Sequence, residues 1–599
     1  MKTLVLLSFL LFLPQVLLAQ TITESADLLL GVRHSAAKWA DFDGDGDVDL
    51  IISGGDSLDR PTTRLYENIR GRLVHKETSL PALDFAALDW GDFDGDGDLD
   101  LLVSGTTATM TDLEYFLTRI YRNDGGTFTH YEAGLPSLIS GDVRWVDYDG
   151  DGDLDVYLSG IYAAAGTYEY AKIYRNDAGR FSDIKTKILN THQGQGDWGD
   201  YDNDGDPDLV ITGFHHNTYV LMLFRNDGGV FRQMEVPAFI PVVNSSAKWG
   251  DYDNDGDLDL VVTGGDQLPL MNRDRAKVRL YENQPCGFVR HQIDDLGGFG
   301  EVAWGDYDND GDLDILASGD CAPCRDLVAS VTRIYGNQEG EFISAGLGFV
   351  QLHNGSVAWA DYDNDGDLDF VVTGVRRSDS SFLARLYINN LNSAAFESNT
   401  PPAPPSGLLA QVQEGAVTLT WEAGSDKETG TKALTYNVFV KDGAGNFLLS
   451  PMADTETGYR QVVLGGNVGQ ALKHELRLPK GYYYWGVQTV DGAFAGSRFT
   501  EGGAFEVAGA PLAENAAPPN IITPNGDGLN DRFVISTGTD AVSLKVYNRW
   551  GNLVFSAEEY RNGWSANGLP NGIYFYQVNK RDECSNETVS LRGWVEVIR

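Results

Sequence analysis

Basic residues are scarce in this chain. Lys and Arg number 45 against 87 Asp and Glu, a formal net charge of −42. Phosphate backbones and anionic membranes repel such a chain, so no nucleic acid partner is expected. Cysteine is scarcer still, with four in 599 residues, too few for disulfides to define the folds. Cys321 and Cys324 form a CxxC outside any βαβ setting, which points to a local loop disulfide. The sequence leaves the pairing of Cys286 and Cys584 open. Long apolar runs are absent beyond Leu4 to Leu18. With Lys2 before it and Ala19 after it, that run reads as an export signal over residues 1–19. No transmembrane segment is expected in the mature chain. Sustained helical periodicity is missing, as are GxSxG, HExxH and P-loop motifs. The nine His recur at no fixed position. These absences lead to the expectation that the protein is not an enzyme.

What is present is repetition. The pattern W-x-D-[FY]-D-[GN]-D-G-D-x-D occurs seven times, at spacings of 51, 55, 53, 51, 55 and 55 residues. Its Trp is kept in every copy, as Trp39, Trp90, Trp145, Trp198, Trp249, Trp304 and Trp359. In the fifth copy Ala247 to Gly250, Leu258 to Thr263, Lys277 to Glu282 and Gly287 to Gln292 read as four strands separated by turn residues. Four antiparallel strands per ~50 residues make one propeller blade. The fold class expected is therefore all-β, a seven-bladed β-propeller over residues 20–399, with each Trp packed between blades. Residues from about Thr21, or else Ala395 to Ser398, would supply the last fourth strand.

The acidic loop carries the chemistry. Its Asp residues are Asp41, Asp43, Asp45, Asp47 and Asp49 in the first copy, then Asp92, Asp94, Asp96, Asp98 and Asp100. The third and fourth copies hold Asp147, Asp149, Asp151, Asp153 and Asp155, and Asp200, Asp202, Asp204, Asp206 and Asp208. The last three hold Asp251, Asp253, Asp255, Asp257 and Asp259; Asp306, Asp308, Asp310, Asp312 and Asp314; and Asp361, Asp363, Asp365, Asp367 and Asp369. Carboxylates at positions 1, 3, 5 and 9, a sharp-turn Gly at 6 and a carbonyl at 7 give the all-oxygen order of a calcium loop. Hard oxygen donors favour calcium over zinc or copper. Position 12 is Ile52 where an EF-hand would place Glu. Crowded Asp residues repel one another without a cation, so about seven Ca²⁺ ions, one per blade, are expected. The loops hold 35 of the acidic residues and so account for most of the charge.

These residues resemble the FG-GAP/VCBS repeats of integrin α-like propellers over about residues 21–399. The resemblance implies that the calcium loops join first and second strands on one face of the ring. Ligands then bind on the opposite face, formed by the 2–3 and 4–1 loops. There the sequence offers Tyr115, Phe116, Tyr162, Tyr168, Phe214, His215, His216, Arg273, Arg275 and Cys321 to Arg325.

A proline-rich linker, Thr400 to Pro405, precedes a region over 400–510 that resembles a fibronectin type III sandwich. Its markers are Trp421, Tyr436 and the Tyr482 to Tyr484 run, and a spacer or stalk is the expected role. Residues 514–599 carry Ile522 to Asp531, Val546 to Gly551, Leu569 to Tyr576 and Gly593 to Arg599. They resemble the gliding-motility-associated C-terminal domain, the type B sorting signal of type IX secretion. That resemblance implies the type IX machinery as a partner and a secreted or outer-membrane location in a Gram-negative bacterium. Together these readings point to an extracellular ligand-binding or adhesion protein for a glycan or protein. A polysaccharide lyase or hydrolase, or a structural surface component, stands as the alternative.

Overall fold

The structure is a computed structural model. It describes residues 22–598, apart from 109–114, 164–166, 266–275, 294–298, 321–329, 339, 391–398, 414–415, 479, 508–520, 525–531, 534–541, 559, 561–563 and 582–587. The expected CxxC bridge and the Ala395 to Ser398 strand lie outside the described residues. Cys286 is disulfide-bonded. Two compact units emerge, one over 1–283 and 289–508, the other over 284–288 and 509–599.

The first unit begins with seven antiparallel sheets, one per repeat. Blade 1 runs Arg33–Ala40, Asp49–Gly55, Pro61–Asn68 and Leu73–Lys76. The second strands carry an apolar run after a leading Asp and are buried along most or all of their length, as in Asp49–Gly55 and Asp100–Thr106, because each is flanked by a blade on both faces. Fourth strands are exposed at the rim, as in Arg180–Asp183. The fifth blade follows its expected strands closely, except that the fourth is Val289–Gln292. Each first strand touches the next around the circle. Arg33–Ala40 meets both Asp84–Gly91 and Val357–Ala360, which closes the ring. Thr23–Glu24 pairs with Ser381–Ile388, so the N-terminal strand completes the seventh blade.

The repeated Trp packs between blades. The Phe93 ring of blade 2 stacks on Trp145 of blade 3 at 5.7 Å and 6°, and Tyr201 of blade 4 on Trp249 of blade 5 at 6.1 Å and 13°. The residue after Trp is Gly in four blades because the neighbour's Trp lies against it. A Cβ on Gly91 would sit 2.8 Å from Trp145, and one on Gly250 2.7 Å from Trp304.

Seven further strands form two sheets within the same unit. One holds Ser406–Gln413, Ala416–Glu422 and Lys473–Arg477; the other holds Phe447–Leu449, Thr435–Asp442, Gly481–Val490 and Thr500–Val507. Trp421, Tyr436, Tyr483 and Trp485 lie in their shared core. Tyr482 and Tyr484 point outward, leaving Tyr483 as the buried member of the run.

The second unit carries a five-stranded sheet in the order Ile521–Ile522, Thr588–Val597, Gly572–Arg581, Val542–Tyr547 and Leu553–Ala557. One face packs on Phe533, Tyr560 and Trp564. Ile573, Phe575 and Trp594 are exposed.

Candidate functional site

All seven acidic loops fold alike. Position 6 is Gly with φ between 88° and 101°, a conformation L side chains rarely adopt. The position-1 carboxylate accepts backbone N–H groups from positions 5 and 6 at 2.8–3.1 Å, as Asp41 does from Asp45 and Gly46. The position-5 carboxylate accepts from the position-7 amide at 2.9–3.1 Å. The position-9 carboxylate accepts the position-2 amide at 2.9–3.3 Å. Position 3 alone has no repeated backbone donor. Its Oδ1 is buried without a hydrogen-bond partner in Asp43, Asp149, Asp202 and Asp308. Oxygens of Asp41, Asp43 and Asp45 converge within 4.8 Å, as do those of Asp92, Asp94 and Asp96, of Asp147, Asp149 and Asp155, and of Asp200, Asp202 and Asp208.

Burial pushes the position-9 carboxyls up, and the neighbouring carboxylates add to it: Asp49 and Asp259 to about 8, Asp100 and Asp208 to about 9, Asp155 to about 10. An oxygen-only donor set with orphaned, mutually repelling carboxylates fits a hard divalent cation.

The position-7 carboxylate binds outside this cluster. Asp98, Asp153 and Asp206 accept amides of the strand 3–4 turn at 2.6–2.9 Å. Asp47, Asp257, Asp312 and Asp367 accept a side-chain amide from the preceding blade. The donors are Asn364, Asn203, Asn254 and Asn309 at loop position 4, at 2.7–3.0 Å. Blades 1, 2 and 3 have Gly at this left-handed position and make no such latch.

A second repeated Asn ends each third strand. Asn68, Asn123, Asn176, Asn226, Asn283, Asn337 and Asn389 donate their N–H to the position-9 carboxylate at 2.7–2.9 Å. Each Nδ2 reaches the position-2 carbonyl of the preceding blade at 2.7–3.2 Å. The sequence reading missed these residues, although the recurring Tyr-x-Asn was visible.

The two-sheet region sits on the loops. The Asp41 amide donates to the Gln461 carbonyl at 2.9 Å and that of Asp306 to Gly492 at 3.3 Å. Gln470 Nε2 donates to Asp251 Oδ2 and Lys432 Nζ to the Asp255 carbonyl, both at 2.7 Å. A Cβ on Gly311 would lie 1.8 Å from the Glu428 carbonyl. Val462 is buried with Ala40, Phe42 and Trp90. A spacer or stalk would stand clear of the ring; this region caps its loop face.

The opposite face carries an axial pocket of about 280 Å³ to which all seven blades contribute. The residue five before the Trp has positive φ in six blades: His34 45°, Phe85 51°, Ser140 54°, Gln193 54°, Asn244 47° and Asn354 51°. The first five line the pocket. Asn and His are enriched in this conformation, but for a bulky Phe it costs about 1–3 kcal/mol. The His34 and Phe85 rings stack at 3.9 Å and 19°. Arg144 Nη2 lies 3.2 Å from Asp142 Oδ2, and both residues line the pocket with Lys38 and Glu301. Burial pushes the Lys38 amine down, Arg144 adding to it, and pushes the Asp142 carboxyl up.

The described residues expected on the 2–3 loops do not line this pocket. Tyr115 and Tyr168 are exposed, while Phe116 is buried. Tyr162 lies against Tyr170 at 5.7 Å. Phe214, His215 and His216 surround the blade 4 hairpin. Arg273, Arg275 and Cys321 to Arg325 lie outside the described residues.

Among solved structures, an α-L-arabinofuranosidase from Fusarium graminearum is 11% identical, over 51% of this chain and 92% of that one, with a TM-score of 0.32. An α-L-arabinanase from Penicillium chrysogenum is 13% identical over 61% and 98%, at 0.30. The extracellular domain of a putative one-component system from B. thetaiotaomicron is 10% identical over 97% and 99%, at 0.26. The first two are enzymes, so the expectation that the protein is not an enzyme is withdrawn. At these scores the likeness brings neither active site nor substrate to this chain. No curated protein matches it in sequence. Among the described residues no helix is long and apolar enough to cross a membrane. The FG-GAP-like repeat family matches residues 36–103 and 200–262, and the CHU_C type IX secretion signal domain matches residues 516–597. The chain thus carries FG-GAP-like repeats and a type IX secretion signal, and the protein is a secreted or cell-surface all-β propeller.

Proposed function

We propose that the protein is a calcium-loaded ligand-binding propeller whose site is the axial pocket. The observation that carries this reading is the strained rim. Six blades hold the residue five before Trp in the left-handed region, and these residues differ in chemistry while the loop face stays uniform. Strain kept at variable positions around one pocket is the mark of a recognition surface on a rigid scaffold. The pocket combines a stacked His34–Phe85 pair with Arg144, Asp142, Gln193 and Asn244. Flat apolar faces beside hydrogen-bonding groups suit a hydroxyl-rich ligand, so a glycan is the ligand class favoured over a protein segment. The outward Tyr115 and Tyr168 would extend contacts along the rim.

The seven loops would hold the calcium, through carboxylates of positions 1, 3, 5 and 9 and the carbonyl of position 7. Bound there, calcium supplies charge neutralisation that fixes the loops and leaves the chemistry to the other face. A glycan array with the calcium-loaded protein tests the reading. Binding is expected, with His34→Ala and Phe85→Ala losing it at unchanged melting temperature. Binding unaffected by both, or lost only through changes on the loop face of a folded protein, would overturn the axial site. Because the Asp142 carboxyl in this pocket is held above its ordinary range, the array hits are also assayed for turnover.

A further inference from the structure

The geometry points to a second kind of metal site, for zinc or another borderline divalent transition metal, built from Glu169, His192, His215 and His216. Three of the chain's nine His meet here, brought together from three segments. Glu169 lies on the third strand of blade 3, Thr167–Asp177. His192 bridges to Phe214 just before the first strand of blade 4. His215 and His216 begin the tight turn between Asp208–His215 and Thr218–Asp227. Positive φ values at His216 and Asn217, 43° and 67°, turn the chain there and hold the two imidazoles 4.1 Å apart.

One ligand atom each from Glu169, His215 and His216 lies within 4.8 Å of the others. Glu169 Oε2 is 2.8 Å from His215 Nδ1 and 3.3 Å from His216 Nδ1, and Oε1 is 3.8 Å from His192 Nδ1. Despite these approaches, Glu169 Oε2 and His192 Nδ1 are buried without a hydrogen-bond partner. Three imidazoles packed on one carboxylate make a poor ion-pair cluster, because full protonation would set three cations against one anion. Glu169 with His215 and His216 gives the three protein ligands of an open zinc site, and His192 Nδ1 faces the same carboxylate as a further donor. His215 Nδ1 also lies 2.7 Å from the Asn190 carbonyl, so this ring would ligate through Nε2, with Nδ1–H held by that carbonyl as the outer partner. Nitrogen donors also separate this site chemically from the all-oxygen loops, which suit calcium. A metal here would tie blade 3 to blade 4 on the pocket-bearing face, outside the axial site.

The test titrates full-length protein, saturated with calcium, with Zn²⁺ by calorimetry, and with Co²⁺ by visible absorption. The expected result is one zinc equivalent bound with calcium still in excess, and tetrahedral d–d bands with cobalt. The double variant His215→Ala, His216→Ala should lose more than ~100-fold in zinc affinity. It should melt like wild type without zinc, since His216 is exposed and the turn remains. Glu169→Gln should weaken binding in a second background. Equal zinc uptake by wild type and the double variant, or no uptake by wild type, would overturn the site. Cobalt spectra showing octahedral oxygen coordination alone would assign the metal to the loops and overturn it equally.

Discussion

The two faces of the ring follow opposite rules. On the loop face each blade repeats the same carboxylates, the same amide donors and the same Asn staples, and the two-sheet region covers the result. On the other face the position five before Trp is His, Phe, Ser, Gln, Asn, Phe and Asn in turn, with positive φ in six blades and five of these residues lining a pocket. Uniform chemistry marks what every blade needs in order to close a ring. Varied chemistry held at a steric cost marks what the ring is for. Changes on the loop face should therefore cost stability, and changes at the pocket rim should cost binding.

The largest effect expected is from chelation. Extracellular calcium loops have dissociation constants of roughly 10⁻⁴–10⁻³ M. At about 1 mM calcium, seven independent sites then contribute around 3–10 kcal/mol through linkage. Excess EDTA should lower the melting temperature of the first unit by many degrees. An unchanged melting curve, with no metal found by elemental analysis, would remove the calcium from the loop face and the comparison with it.

Next in size is the cap. Val462 is buried against Ala40 and Phe42 of the first blades, close to the Asp41 loop whose amide is bonded to Gln461. Val462→Asp would bury an unpaired charge beside like charges and should destabilise by several kcal/mol. Native-state hydrogen exchange should then show the Asp41 and Asp306 amides opening before the strands of either sheet. If melting and exchange stay as in wild type, the cap is incidental to the ring.

Reading along the chain reached the loops and the blades because both repeat locally. Each acidic loop is nine residues, and each strand shows its own pattern. It went wrong where contacts are distant. The proline-rich Thr400 to Pro405 suggested a stalk, but the Asn399 amide already bonds to the Gly366 carbonyl and carries the next domain onto the loops. The same limit hid the pocket. His34, Phe85 and Gln193 share neither residue type nor charge, so only their common offset from Trp marked them. The 2–3 loop aromatics stood out by type, yet the described ones do not line the pocket. The position-7 carboxylates were read within their own loops, although four of them are held by the neighbouring blade.

A smaller effect is expected of the latch. Asn364 Nδ2 donates to the Gly46 carbonyl and to Asp47 across the seam between the last blade and the first. Asn364→Gly keeps the left-handed conformation and removes only the amide. It should cost about 1.5–3 kcal/mol, the range for hydrogen bonds to a charged group. The converse change tests whether the loop face can be made more uniform. Gly44 has φ 73° with no atom near its missing Cβ, so Gly44→Asn should fit and stabilise blade 1 against blade 2 by a few tenths of a kcal/mol. Loss of stability from Gly44→Asn would show that blades 1 to 3 lack the latch for a steric reason.

The sharpest contrast should come from Phe85→Gly. Phe85 has φ 51° on the pocket rim, where a side chain costs roughly 1–2 kcal/mol relative to glycine. Its ring regains part of that by stacking on His34, an interaction of about 0.5–1.5 kcal/mol. Stability should therefore rise by at most ~1 kcal/mol, against the destabilisation usual for removing an aromatic side chain. Ligand binding should fall at the same time, because the flat face opposite the polar groups is gone. A protein that melts higher and binds worse would tie the strain to recognition. If Phe85→Gly instead melts well below wild type, the ring is structural support and the rim belongs with the loop face after all.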